Sequence, residues 1–167
     1  MRDENIKDVF KDFNIARAFL LPVSNFRKFT SPYGIENIPI TKYSCYVKLS
    51  DIPEALAQCT IYEEYQLLSR QTEAQVKEWM RGHDPYLYLK VRPIVLSVGQ
   101  ATFDNRKNKL HIVLEDTERH GVVAGLLALR AIMYYRGQYE INQYVELDIV
   151  EGLPHDLLKD YAYAQNL

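Results

Sequence analysis

Cysteine is scarce in this chain, with only Cys45 and Cys59 among 167 residues. Two thiols do not make a disulfide framework, and they suit a reducing, cytoplasmic setting. Cys45 sits in an apolar strand pattern, which points to a buried free thiol. Cys, His and carboxylates show no metal-ligand spacing, so neither a metal nor a cofactor is expected. Long apolar runs are also missing. None approaches the roughly 20 residues of a membrane span, no signal peptide is expected, and no membrane partner follows. Net charge is nearly absent at -2, with a pI of about 6.1, so no global electrostatic case for nucleic acid exists. Internal repeats and low-complexity segments are absent. So are a nucleophile elbow, a P-loop and a kinase signature, and no catalytic residue is assigned.

The small net charge hides an uneven distribution. Between Arg81 and His111, Arg81, Lys90, Arg92, Arg106, Lys107 and Lys109 face only Asp84 and Asp104. Beyond Gln138 the balance reverses, with Glu140, Glu146, Asp148, Glu151, Asp156 and Asp160 against Lys159. Tyrosine is abundant, at 13 residues. Scattered along strands and helices, these side chains suit half-buried amphipathic contacts and an interface with a protein partner or a second copy.

Ile6, Val9, Phe10 and Phe13 follow helical spacing after a cap at Asp3 or Asn5, and Pro22 stops that helix. Residues 23–39, punctuated by Pro32 and Pro39, read as a loop. Tyr43, Cys45, Val47 and Leu49 alternate with Ser44, Tyr46 and Lys48 as a half-buried strand. Thr60 and Glu63 form a capping-box pattern ahead of a helix reaching Arg81, which Gly82 ends. Tyr86 to Val98 is strand-like but interrupted by Pro93. Asp104 to Asn108 is a hairpin tip, with Leu110, Ile112 and Leu114 on the returning strand. Val145, Leu147 and Ile149 alternate as a last strand, and Pro154 opens the final helix at its first position. The fold class is α+β: a mixed or antiparallel sheet of about five or six strands with packed helices. A single domain is expected, divided into an N-terminal helix and loop (1–37) and an α+β core (38–167).

The stretch from Leu110 to Tyr135 carries the chemistry, if any. It reads as a strand, a turn, a second short strand and a largely apolar helix, with Gly121 and Gly125 at the joints. Such a joint presents backbone N–H groups at a helix N-terminus, where phosphates often bind. Glu115, Asp116, Glu118 and His120 group in the turn. They read as a solvated turn, or as a cluster for acid–base work or for holding a metal. His111 falls on the outer strand face. His83 lies in a loop and His155 begins the last helix.

The run Leu89-Lys90-Val91-Arg92-Pro93-Ile94-Val95-Leu96, the Phe103-Asp104-Asn105 hairpin, His120-Gly121-Val122-Val123-Ala124-Gly125 and Arg130-Ala131-Ile132 together resemble the core of the AIPR (abortive infection phage resistance) proteins. The strand from Val145 to Gly152 followed by Tyr161-Ala162-Tyr163-Ala164-Gln165-Asn166 is similar to that family's strand and Ala-Arg-Asn-Thr-like helix. The resemblance spans roughly residues 38–167 and implies a core like the ParB/sulfiredoxin fold. There, a loop of the type Asp-Gly-(Gly/Gln)-His-(Arg/Thr) enters a helix and holds a nucleotide phosphate. In this chain the loop reads Ala124-Gly125-Leu126-Leu127-Ala128. Gly125 and, a turn later, Arg130 remain, and Arg92 remains on the facing strand.

Three functional expectations follow. The first is a non-catalytic protein-interaction module of the phage–host conflict setting, which regulates or inhibits a defence complex. The second is a nucleic-acid-binding module using Arg92, Arg130 and the basic hairpin residues Arg106, Lys107 and Lys109. The third is a residual nucleotide-binding or nuclease component using Arg92, His120, Gly125 and Arg130.

Overall fold

The computed structural model describes residues 17–30, 40–136 and 143–167. Its class is α+β, and among the described residues eight strands divide into two sheets. The strands are β1 (Arg17–Pro22), β2 (Ser24–Thr30), β3 (Thr41–Lys48), β4 (Ile94–Val98), β5 (Gln100–Asp104), β6 (Lys109–Leu114), β7 (Gly121–Ala124) and β8 (Tyr144–Glu151). The helices are α1 (Glu63–Gln66), α2 (Glu73–Arg81), α3 (Leu87–Lys90), α4 (Leu126–Tyr135) and α5 (His155–Gln165).

The smaller sheet runs β1-β6-β5 and is antiparallel throughout. The larger runs β2-β3-β8-β4-β7, with one parallel pair, β4 and β8. Strand alternation decides what each face meets. Cys45 and Val47 of β3, Leu96 and Val98 of β4, and Leu147 and Ile149 of β8 point to one side. There they form the main core with Leu110, Ile112 and Leu114 of β6, Val76 and Met80 of α2, and Leu129 and Ile132 of α4. Val95, Val123 and Val150 point to the other side, where Leu158 and Ala162 of α5 cover them in a second cluster. Phe26 of β2 stacks on Phe103 of β5 with ring centroids 4.0 Å apart, which ties the two sheets together.

Several elements differ from the sequence reading. The described end of the expected N-terminal helix is strand β1; the rest of that helix lies outside the described residues. Arg17 to Pro22 pairs residue by residue with β6, placing Leu21 in the core opposite Leu110. The expected loop over 23–39 contains strand β2, because its prolines begin only at Pro32, beyond the strand. Residues 31–39 lie outside the described set. β1 and β2 are therefore integral strands of the two sheets, although they precede position 38. The long helix expected to Arg81 is broken. Its second half, α2, has its own capping box, with Thr72 and Gln75 exchanging side-chain and backbone hydrogen bonds, and Gly82 at its C-cap. Tyr86 to Val98 is a turn of helix followed by a strand. Leu87 turns inward as the buried residue of α3, and Pro93 precedes β4, where it removes no ladder hydrogen bond. The hairpin, the alternation of β8 and the final helix stand where the sequence places them, except that Pro154 is the N-cap of α5 rather than its first residue.

Candidate functional site

The candidate site is the joint between β7 and α4. Gly125 adopts φ +99°, and a Cβ there would stand 3.0 Å from Ile94 Cα, so both backbone shape and space call for glycine. The chain turns at once into α4, whose first N–H groups open onto a recess walled in part by Gln66, Gln71, Arg92, Leu127 and Asn166.

A protein side chain already occupies the first donor. Gln66 is 1% exposed. Its Oε1 accepts from the Leu126 N–H at 3.0 Å, while its Nε2 donates to the carbonyls of Ile61 (2.8 Å) and Val122 (2.9 Å). One amide thus caps α4 and binds α1 to β7. Asn166 does the same for α5, donating from Nδ2 to Val123 O (2.8 Å) and Ala162 O (2.7 Å). Sequence reasoning missed both amides. A polar residue between Tyr65 and Leu67 carries no signal that it is buried, because its three partners are distant backbone groups.

The three residues expected to hold phosphate are only partly brought together. Arg92 and Gly125 wall the same recess, and Arg130 is not among its walls. Arg92 donates from a guanidinium nitrogen to Leu167 O at 2.7 Å, and its own N–H is held by Gln71 Oε1 at 2.8 Å. Arg130 pairs with Glu63 at 3.0 Å in a half-exposed ion pair, worth about 0–1 kcal/mol. Leu126 and Leu127 bring no donor side chain to the turn.

The basic hairpin is displayed at the β5–β6 turn. Asp104 Oδ1 accepts from the N–H groups of Arg106 (2.9 Å) and Lys107 (3.3 Å), which shapes the tip and leaves both side chains exposed. Lys109 is half-buried at the start of β6.

The turn before β7 is not simply solvated. His120 is buried, and its Nδ1 accepts from the N–H groups of Glu115 (2.9 Å) and Asp116 (3.0 Å). The ring is a turn-forming acceptor, with its proton on Nε2. Burial, and then the charge of Arg119, lower its pKa below the ordinary 6.5. The unfolded chain therefore binds the proton more readily than the folded one. The stability from this ring is complete above pH 6.5 and is lost as pH falls below 6.5 towards the depressed folded value. His120→Asn, which keeps an acceptor without a titration, is expected to flatten the fall in melting temperature between pH 7 and pH 5. Parallel profiles for wild type and variant would contradict this role.

A second polar cluster, on the α5 side of the larger sheet, was also not foreseen. Ser44 donates to Asp148 Oδ1 at 2.9 Å, Lys42 stands 3.5 Å from Asp148 Oδ2, and Arg27 donates to Ser44 Oγ at 3.3 Å. Burial, then the neighbouring Asp148, raise the pKa of Glu146. Burial, then Asp148, push the Cys45 thiol up to about 12, and the same two causes bring Tyr161 to about 12. Cys45 and Cys59 are buried free thiols, and Cys45 at this pKa is an inert core residue. Alternation alone places Ser44 on the outer face. Only the β3–β8 register, which aligns Ser44 with Asp148, shows its partner.

Among the described residues, no three His, Cys, Asp or Glu side chains come together as metal ligands, and no helix is long and apolar enough to cross a membrane. No protein-family model, no curated protein and no solved structure matches the chain.

Proposed function

We propose that the chain is a non-catalytic protein-interaction module. It would act in the cytoplasm, in the phage–host conflict setting that the AIPR resemblance implies, by binding a protein of a defence complex and regulating or inhibiting it. The observation that carries this reading is the surface beside the α4 joint. Leu68 is 78% exposed there, and it shares a recess with Tyr65, Arg70, Tyr163, Asn166 and Leu167. Leu67, Tyr163 and Leu167 are likewise exposed. Aromatic and arginine side chains around an apolar centre are the composition of interface hot spots. The neighbouring phosphate loop supports the same reading, since Gln66 and Leu127 stand where an anion would need free donors.

The test uses the full chain as bait in cells under phage infection, followed by binding measurements with the purified partner. Leu68→Asp combined with Tyr163→Ala changes only exposed side chains, so folding should be retained. The double variant is expected to lose at least about tenfold in affinity, since two central contacts of about 1 kcal/mol or more are removed. A partner held equally well by the double variant would overturn this surface as the interface.

A further inference from the structure

A second recess lies on the larger sheet, at the far end of β3 from Ile40. Its walls are Ser24, Asn25, Tyr46, Tyr88 and Tyr144, around about 430 Å³ of space with the mouth included. The rings of Tyr46 and Tyr88 meet at 80° with centroids 5.6 Å apart. Tyr88 and Tyr144 are 36% and 39% exposed, so their rings are open to a ligand. Each comes from a different element: Tyr46 from β3, Tyr88 from α3 and Tyr144 from β8. Among the described residues none of the three hydroxyls has a hydrogen-bond partner.

The strand register places charges of both signs near this recess. Tyr46 is paired with Glu146 across the β3–β8 ladder, and Tyr144 is two residues from Glu146 on the same face. Glu146 lies in turn two residues from the buried Asp148. Burial raises the pKa of Glu146 above its ordinary value, and the charge of Asp148 and its side-chain hydrogen bond to Glu146 add to this. Arg27 and Lys42 partly offset them from the other end of the cluster. Lys48 pairs with Tyr144 in the register, and neither Lys48 nor Glu146 is among the walls of the recess.

We propose that Tyr46, Tyr88 and Tyr144 form a binding site for an organic cation of the methylated-ammonium class. Three tyrosines line this one small space, two of them with nearly perpendicular rings; aromatic rings attract such a cation through their quadrupoles, and its methyl groups fit apolar walls that a hydrated metal ion does not. Ser24 and Asn25 at the rim supply hydrogen bonds for whatever the ammonium is attached to. A methylated lysine of a protein and a free choline-like molecule share this chemistry. The inference stands independently of the interface proposed above, which lies on a different recess and different residues.

The experiment titrates choline, tetramethylammonium and a trimethyl-lysine peptide into the full chain, following amide chemical shifts of Tyr46, Tyr88 and Tyr144. Its neutral comparator is 3,3-dimethylbutan-1-ol, which has the shape of choline without the charge. Choline is expected to bind about tenfold more tightly than this alcohol. Tyr88→Ala should abolish saturable binding and Tyr88→Phe should retain it, which separates the ring from the hydroxyl. Preference for the peptide over choline would assign the site to a protein ligand, and equal binding would assign it to the small molecule. Equal binding of choline and the alcohol, or no saturable shift with any cation, would overturn the proposal.

Discussion

Gly121→Ala is expected to destabilise the fold by about 3–5 kcal/mol, a large share of the roughly 5–15 kcal/mol that holds a domain together. Gly121 opens β7 at φ +153°, and a Cβ built there collides with the carbonyl oxygen of Cys59 and lies 3.3 Å from Ile61 Cγ1. That carbonyl cannot step aside cheaply, because it accepts the Val122 N–H at 2.6 Å. Ile61 N–H donates back to Val122 O at 2.9 Å, and Thr60 bridges Val122 in parallel. The segment 59–61 thus covers the outer edge of β7, and a methyl group would push the two apart. The matched control is Gly152→Ala. Gly152 has φ +74° with nothing near its Cβ position, so its cost is limited to backbone strain of about 1–2 kcal/mol. Urea midpoints for the two variants measure the difference. Equal losses would show that the close approach at Cys59 carries no energy of its own.

Gln66→Ala is expected to cost about 2–4 kcal/mol. The loss is not the side chain's own packing alone. The Leu126 N–H and Ile61 O would each lose a partner in a buried place, at about 1–3 kcal/mol for a group left without one, with some relief where water enters, while Val122 O keeps the Ile61 N–H. Gln66→Glu separates the contributions, since it keeps an acceptor for Leu126 while removing both donors and burying a charge. Hydrogen exchange at Leu126 is the local readout. In wild type this amide should exchange at the rate of the α4 interior, and in Gln66→Ala it should exchange far faster. Unchanged protection would mean that Gln66 does not cap the helix.

These two residues also show what the sequence makes legible. The path of the chain from β6 through the turn to β7 and α4 can be read from alternation, two glycines and an apolar helix. Each signal is local, and each held. Strands β5, β6 and β8 were legible for the same reason. β1 was not, because Phe13, Ala16 and Arg17 continue a helical period into a segment that pairs with β6, and pairing is a non-local fact. β2 was hidden by the prolines that follow it. α1 and α2 merged into one helix because nothing between Leu67 and Gln71 forbids helix, and the true cap at Thr72 reads no differently from the pattern at Thr60. At the candidate site, Gly125 and Arg92 were found by their likeness to a known loop. Gln66 was not, since its role depends on three backbone groups from other parts of the chain. The clustering of Ser44, Asp148 and Lys42 depends on strand register in the same way.

At the β7–α4 joint Gly125 turns the chain into α4, and Gln66 takes up the Leu126 N–H that an anion there would need. The most direct measurement is the melting temperature of the full chain with ATP, CTP or GTP, with and without Mg²⁺, and with short DNA at low and moderate salt. Binding to the folded state raises the midpoint by mass action, so an anion held at this joint would be visible. No shift with any nucleotide or with DNA is the predicted result. A nucleotide-dependent shift abolished by Arg92→Ala or Arg130→Ala would contradict it, and a shift with DNA that vanishes at higher salt would assign the chain to nucleic acid instead.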